Sequence, residues 1–147
     1  MNKKKETTFF GLSTPMGRSA TATIRISGKK TKAVLHGLTS GKIKNPKHRN
    51  STVLNIYNKN NNLIDNAVVV FFEGPNSYTG DDLVEIHTHG NPIIINRLYN
   101  ALVDFGLRIA DPGEFTRSAY LNNKIDLIQA ESILSLINSK TKEGVNL

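Results

Sequence analysis

The sequence predicts an α+β fold in which helices pack on a mixed β-sheet. Two observations lead to this prediction: some segments are rich in β-branched and aromatic residues, as strands are, and others carry apolar residues at helical spacing. A third is size, because 147 residues with 38% hydrophobic content suffice for one domain with a real core and the start of a second.

The strands are predicted from five segments in chain order. Their β-branched and aromatic residues lie at 7–13, 20–27, 51–57, 66–72 and 82–89. An Asn-rich run at 58–62 separates two of these segments and predicts a hairpin tip.

The helices are predicted from start and stop signals. Residues 29–38 carry a weak helical pattern. Asn91 as cap, with Pro92 at the first helical position, begins a second helix that Gly106 ends. Turn residues at 111–113 precede a short third helix, and a short segment at 106–111 links the two.

A last helix begins after Asp126, a plausible cap with Gln129 three residues on. Its apolar stripe consists of Leu127, Ala130, Leu134 and Ile137, widened by Ile133 and Leu136. Such a face needs cover from the preceding domain, from a second copy or from chain beyond the sequence given. Of these three, we favour cover by chain beyond the sequence given.

Composition excludes several kinds of site. The sequence has no cysteine, which removes disulfides, zinc–thiolate sites, iron–sulfur clusters and a thiol nucleophile. The longest purely apolar run, residues 67–72, is far shorter than the roughly 20 residues that cross a bilayer. We therefore expect no membrane association and a cytoplasmic location.

The charge is unevenly distributed along the chain. Residues 1–60 hold 13 Lys and Arg against one acid, whereas residues 61–147 hold 6 against 11. A basic half fits RNA or an anionic ligand tail, but we favour exposed, solvated loops in a Lys- and Asn-rich protein as the explanation of this charge. An RNA-binding module remains an alternative, although no aromatic pattern for base stacking accompanies the charge.

Glu85, His87 and His89 recur at spacing two within a predicted strand and therefore share one face. Such a row can ligate zinc or iron, which keeps a metal-dependent hydrolase as an alternative. It can also be a solvated face or a ligand-binding wall. A strand carboxylate can accept two parallel N–H bonds from a planar heterocycle such as a pterin.

Two catalytic motifs are absent. A phosphate-binding loop would need glycine where His36 stands and a hydroxyl where Ile43 stands, around Gly41 and Lys42. No Gly-x-Ser-x-Gly elbow occurs either. We therefore expect no nucleotide hydrolysis by this chain alone, and no catalytic residues are assigned.

Three long motifs carry a family resemblance. They are "STPMGRSATATIRISG", "GPNSYTGDDLVEIHTHGNP" and "RIADPGEFTRSAYLNNKIDLIQAES". Together they resemble the N-terminal domain of the MnmE (TrmE) family of tRNA modification GTPases over nearly the whole chain. The resemblance implies a folate-binding, dimerising domain at residues 1–121, similar to the tetrahydrofolate-binding domain of glycine-cleavage T-proteins. Residues 122–147 would then start a helical domain, truncated here, without the GTPase domain.

The resemblance also implies the site. The family's folate contacts fall on Arg25, Glu85 and Lys124, with Glu85 at the pterin edge and the two cations at the anionic end. His89 would be a neighbouring orienting residue. Without the motifs, each contact residue would be interpreted as part of a surface salt bridge.

The implied cofactor is a reduced folate, either 5-formyl- or 5,10-methylene-tetrahydrofolate, that supplies one carbon for a carboxymethylaminomethyl-type group at C5 of a tRNA wobble uridine. The implied partners are a second copy, an MnmG-like FAD protein and tRNA. In the full-length family GTP, magnesium and potassium also bind, but we expect none of them on this fragment.

The sequence departs from the family pattern beside the implied pocket. Ser19 and Ala20 stand where a glycine pair is usual, after an aligned segment at 14–18. His87 and Thr88 replace Gln-Gly, and Asn91 replaces a glycine. Folate affinity is therefore expected to differ from that of other members.

Overall fold

The computed structural model describes residues 7–13 and 20–145, with side chains described as far as residue 138. Within these residues the elements follow the order β1 (Phe9–Leu12), β2 (Thr21–Ser27), α1 (Thr31–Leu38), β3 (Ser51–Tyr57), β4 (Leu63–Phe72), β5 (Leu83–His89), α2 (Pro92–Asp104), β6 (Arg108–Ile109), α3 (Glu114–Leu121) and α4 (Leu127–Val145). The predicted α+β fold is confirmed. The segment at 106–111, for which no type was predicted, contributes the two-residue edge strand β6.

The strands form one mixed sheet in the order β3-β4-β5-β2-β1-β6. Strands β1 and β6 run parallel, and the other neighbours are antiparallel. Residues 58–62 turn the chain between β3 and β4, as predicted. Asn58 closes this turn because its side-chain oxygen accepts from the backbone N–H groups of Asn60 and Asn62.

The main core lies between the sheet and the helices α1 and α2. Alternate residues of each strand point into it, since successive strand side chains face opposite ways. Fully buried members include Phe10, Ile24, Ile26, Ile56, Val84, Ile86, Leu35, Leu38, Leu98 and Leu102. Burial of this continuous apolar face, more than helix propensity, holds the short helix α1 in place.

The opposite face of the sheet is covered only at one end within the described residues. There α3 packs on β1, and the Phe9 and Phe115 ring centroids lie 5.0 Å apart. Gly11 permits this approach, because a Cβ at that position would lie 3.3 Å from the Phe115 ring. Away from α3 this face is open at β3 within the described residues, where Val53 is 62% exposed, although Thr23 and Ser27 of β2 are buried; we call it the open face.

An ion pair fixes α3 to the edge strand β6. The Glu114 carboxylate accepts from Arg108 Nη1 at 2.7 Å, from Arg108 Nη2 and from the Asp111 N–H at 2.8 Å. The hydrogen bonds to Glu114 are the main reason why the pKa of Arg108 is raised. Two charge-assisted bonds in fork geometry hold the start of α3 in one orientation.

The predicted helix caps are confirmed. The Asn91 side chain accepts from the Ile93 N–H at 2.8 Å. Asp126 accepts from the Gln129 N–H at 2.7 Å, and Gln129 accepts from the Asp126 N–H at 3.0 Å. The second arrangement is a reciprocal capping box at the start of α4.

Helix α4 packs partly on the residues that precede it in the chain. Ala130 is buried and Leu134 is half-buried, and a Cβ at Gly113 would overlap Leu134 Cδ2. Leu127 and Leu136 are 51% and 65% exposed, so only part of the predicted apolar stripe is covered by the described residues. The short loop before α3 therefore supplies part of the surface that this helix needs. None of the described helices is long and apolar enough to cross a membrane.

Candidate ligand-binding site

The predicted polar row lies on the open face of the sheet. Glu85, His87 and His89 alternate along β5 with buried Val84, Ile86 and Thr88. Pairing with β2 places Glu85 opposite Arg25, His87 opposite Thr23 and His89 opposite Thr21. The shared face predicted from the spacing is confirmed.

Arg25 and Glu85 are brought together by the sheet register. Arg25 Nε lies 3.5 Å from Glu85 Oε2, and the two side chains are 31% and 19% exposed. The Nε atom is buried and has no hydrogen-bond partner among the described residues. Buried donors are rarely left unpaired, and the 31% of the Arg25 side chain that is exposed is the part a ligand could contact.

Tyr78 forms a side of the site that sequence reasoning missed. Arg25 Cζ lies 5.6 Å from the centroid of its ring. The Tyr78 hydroxyl is 3.0 Å from Thr116 Oγ1 on α3. Only its place within the quoted motif at 74–92 could have drawn attention to it, since no spacing rule links residue 78 to residue 25.

The loop at 74–82 holds Tyr78 at the end of the strands. Gly74 N–H donates to Asp82 Oδ1 at 3.0 Å, and Ser27 Oγ lies 2.7 Å from Thr79 Oγ1. A Cβ at Gly74 would approach the Gly80 carbonyl oxygen to 2.9 Å. These contacts fix the shape of the loop, and the close approach at Gly74 leaves no room for a larger residue there.

Lys124 lies apart from the pair, on the connection between α3 and α4. Its backbone N–H donates to the Ala119 carbonyl at 2.8 Å, and its exposed side chain makes no hydrogen bond or ion pair with any described residue. The connection is nevertheless tied to the loop, because Asn122 Nδ2 donates to the Thr79 carbonyl at 2.7 Å. The structure therefore joins two of the three predicted contacts.

The two histidines have separate partners. His87 Nδ1 is 2.9 Å from Thr23 Oγ1. His89 Nδ1 lies 2.9 Å from Asp65 Oδ1, and the His89 N–H donates to Asp65 Oδ2 at 2.9 Å. Four residues of strand, about 13 Å, separate His89 from Glu85, and the contacts of His89 are with Asp65.

The metal-site alternative receives no support from this geometry. Across residues 7–13 and 20–138, no three His, Asp or Glu side chains come together as possible metal ligands. The three side chains of the row contact three different residues, two on β2 and one on β4, so they do not converge on one point.

The structure places one further sequence segment. The near-match to a phosphate loop, residues 36–43, lies at the C-terminal end of α1, where carbonyls rather than N–H groups are free. The aligned segment at 14–18 and Ser19 lie outside the described residues, whereas Ala20 is exposed immediately before β2.

Comparison with known proteins gives one consistent family. Residues 8–124 match the family model described as GTP-binding protein TrmE N-terminus. The chain is 44% identical over 135 residues to a tRNA modification GTPase MnmE of Francisella philomiragia and to another of Francisella tularensis subsp. novicida. The alignments cover 92% of this chain and 29% of each relative. The chain therefore belongs to the TrmE N-terminal family.

Proposed function

We propose that this chain is the folate-binding and dimerising part of an MnmE-type tRNA modification GTPase. In this proposal it binds a reduced folate, 5-formyl- or 5,10-methylene-tetrahydrofolate, as one-carbon donor for modification at C5 of a wobble uridine. Membership of the family and similarity to tRNA modification GTPases support the connection to tRNA modification. Because the chain spans 29% of the length of those relatives, the complete activity would belong to a longer protein.

The observation that carries the folate proposal is the unsatisfied Nε of Arg25 beside Glu85. The Arg25 Nε and Glu85 Oε2 atoms are 3.5 Å apart, so the two side chains form an ion pair but no hydrogen bond through Nε. The Glu85 carboxylate can accept two N–H bonds from a pterin, and an acceptor on the same ligand can satisfy Arg25. Tyr78 and Val70, which neighbour Arg25 and Glu85 respectively, supply apolar surface for the ring.

Lys124 is proposed to meet the anionic glutamate tail of the folate. It is exposed on the connection that follows α3, and Asn122 ties this connection to the loop bearing Tyr78. A long, hydrated cation suits a carboxylate at the solvent end of a ligand. The proposed division into residues 1–121 and 122–147 falls at this same connection.

Dimerisation is proposed because apolar side chains remain exposed around Lys124. Leu121, Leu127 and Ile128 are 51%, 51% and 77% exposed. A second copy seated there would cover them and could complete the folate pocket, and symmetric pairs are the commonest oligomers. An MnmG-like FAD protein and tRNA are the further proposed partners, in the cytoplasm. GTP, magnesium and potassium are assigned to the part of such a protein beyond this chain.

Three measurements test the proposal. Calorimetric titration with 5-formyltetrahydrofolate should give saturable binding, and purified protein should not turn over GTP. Sedimentation velocity over a concentration series should show a discrete dimer that folate strengthens, because ligand that binds the dimer stabilises it by mass action. A monomer that binds folate at full affinity would refute the shared pocket, and absence of binding would refute the folate assignment.

A further inference from the structure

A concave site lies on the core-facing side of the sheet, opposite the face that carries Arg25 and Glu85. Its cavity has a volume of about 220 Å³ and lies between α1, the edge strand β3 and the loop at 39–50. Leu35, Leu54, Val69 and Phe71 are among the apolar residues that line it. Leu54 and Val69 point toward the core, so this cavity is separated from Arg25 and Glu85 by the sheet itself.

The size of the cavity restricts its ligand. Pockets for drug-sized ligands begin at about 300 Å³, so the space suits a single ring system rather than a whole folate. Asn45, Asn50 and Thr52 also line it and offer both donors and acceptors. The two Asn side chains make no hydrogen bond with a described residue, which leaves them able to bind the polar edge of a heterocycle.

The rim of the cavity is cationic. Lys47 lines the cavity, and Lys42, Lys44 and Arg49 belong to the same loop, where all four residues are exposed. No described carboxylate lies within ion-pair distance of any of them. Residues 28–62 hold eight Lys and Arg and no Asp or Glu, so the local potential is positive and favours phosphate.

The loop that bears these groups is held in place by hydrogen bonds. Thr39 Oγ1 donates to the Leu35 carbonyl at 2.9 Å and accepts from the Ile43 N–H at 3.1 Å. At the other end, the Arg49 N–H donates to the Phe71 carbonyl at 2.7 Å. A site with its backbone already fixed loses less conformational entropy when a ligand binds.

From these observations we propose that the cavity binds a nucleotide, with the base in the apolar space and the phosphate at the rim near Lys47. The two Asn side chains favour a heterocycle over a simple hydrocarbon. The Lys and Arg side chains at the rim favour a nucleotide, which carries a phosphate, over a neutral nucleoside. Free nucleotides and the nucleotides of an RNA strand share this chemistry. The inference does not depend on the proposed folate site.

The test is a titration of ¹⁵N-labelled protein followed by amide chemical shifts. The probes are the four ribonucleoside monophosphates, a nucleoside, inorganic phosphate and a single-stranded RNA decamer. Nucleotides should shift the amides of Ile43, Asn45 and Thr52 and bind at least about tenfold more tightly than inorganic phosphate, because a charge-assisted contact and ring burial act together. Tighter binding of RNA than of mononucleotide would assign the site to an RNA strand, and equal affinity would assign it to free nucleotide.

Three variants separate a built site from general positive charge. Lys47→Ala should weaken nucleotide binding about tenfold, whereas Lys29→Ala, which removes a charge outside the cavity, should change it less than twofold. Thr52→Leu should fill the cavity and abolish the base-dependent shifts. Equal effects of the two lysine variants, equal affinity for inorganic phosphate and nucleotide, or no shift at millimolar ligand would overturn the proposal. Lys47 is exposed, so its variant remains decisive if Thr52→Leu does not fold.

Discussion

Replacing Glu85 with glutamine distinguishes the proposed contribution of this carboxylate to folate binding from its contribution to the stability of the fold. Glutamine keeps the shape of the side chain but exchanges one acceptor oxygen for a donor. In the proposed complex a pterin N–H would then face another N–H, and the charge-assisted bond would be lost. Arg25 would retain its unsatisfied Nε, now without the opposite charge at 3.5 Å.

The expected magnitudes follow from the geometry of the pair. The side chains are 31% and 19% exposed and are not joined by a hydrogen bond through Nε, so losing this ion pair should change the free energy of unfolding by less than about 1 kcal/mol. The lost ligand contact should weaken folate binding by roughly 1.5 to 3 kcal/mol, which is about tenfold to a hundredfold.

Calorimetry with 5-formyltetrahydrofolate measures the change in folate affinity, and urea denaturation measures the change in the free energy of unfolding. Glu73→Gln is the matched control. Glu73 is an exposed carboxylate outside the site, and its Oε1 lies 3.4 Å from Lys32 Nζ. Unchanged folate affinity in a folded Glu85→Gln protein would remove Glu85 from the site. An equal loss in the Glu73 variant would show that only net charge matters.

Two further predictions concern the scaffold. Burial raises the pKa of Tyr99 above its usual value near 10, and the hydrogen bond that Tyr99 accepts from the Leu12 N–H opposes part of this shift. The neutral Tyr99 phenol therefore contributes to the free energy of unfolding below about pH 10, and this contribution is lost as pH rises through the pKa of the folded state. An ultraviolet pH titration should therefore show one late-ionising phenol that Tyr99→Phe removes, and its persistence in that variant would contradict the assignment. Gly113→Ala should lower the free energy of unfolding by at least about 1 to 2 kcal/mol, since Gly113 has φ +74° and its Cβ would overlap Leu134. Gly106→Ala is the control in urea denaturation, because Gly106 has φ +91° with no atom near its Cβ; an equal loss in both would show that the Leu134 contact costs nothing.

The elements of this fold were predictable because their signals are local. The Asn91 cap and the Asp126–Gln129 box act within three residues, and the alternation of β5 requires only a period of two. Contacts between residues far apart in sequence leave no such local signal. The approach of Leu134 in α4 to Gly113, 21 residues earlier in the chain, is one of them.

The candidate site was less predictable, because cross-strand register cannot be inferred from spacing within one strand. The contact of His89 with Asp65 depends on how β4 meets β5, and no pattern in either segment predicts it. Likewise, Tyr78 reaches Arg25 only through a loop fold held by Thr79 and Asp82. The assignments of Arg25, Glu85 and Lys124 came from resemblance, and they stay predictions.

The central claim is that reduced folate binds on the open sheet face at Arg25 and Glu85. Amide chemical shifts recorded during titration with 5-formyltetrahydrofolate test it most directly, because they report where the ligand binds as well as whether it does. The account predicts saturable shifts clustered at the amides of residues 23–27, 74–80 and 84–87, with little change at 42–50. Shifts confined to residues 42–50, or none at millimolar folate, would contradict it.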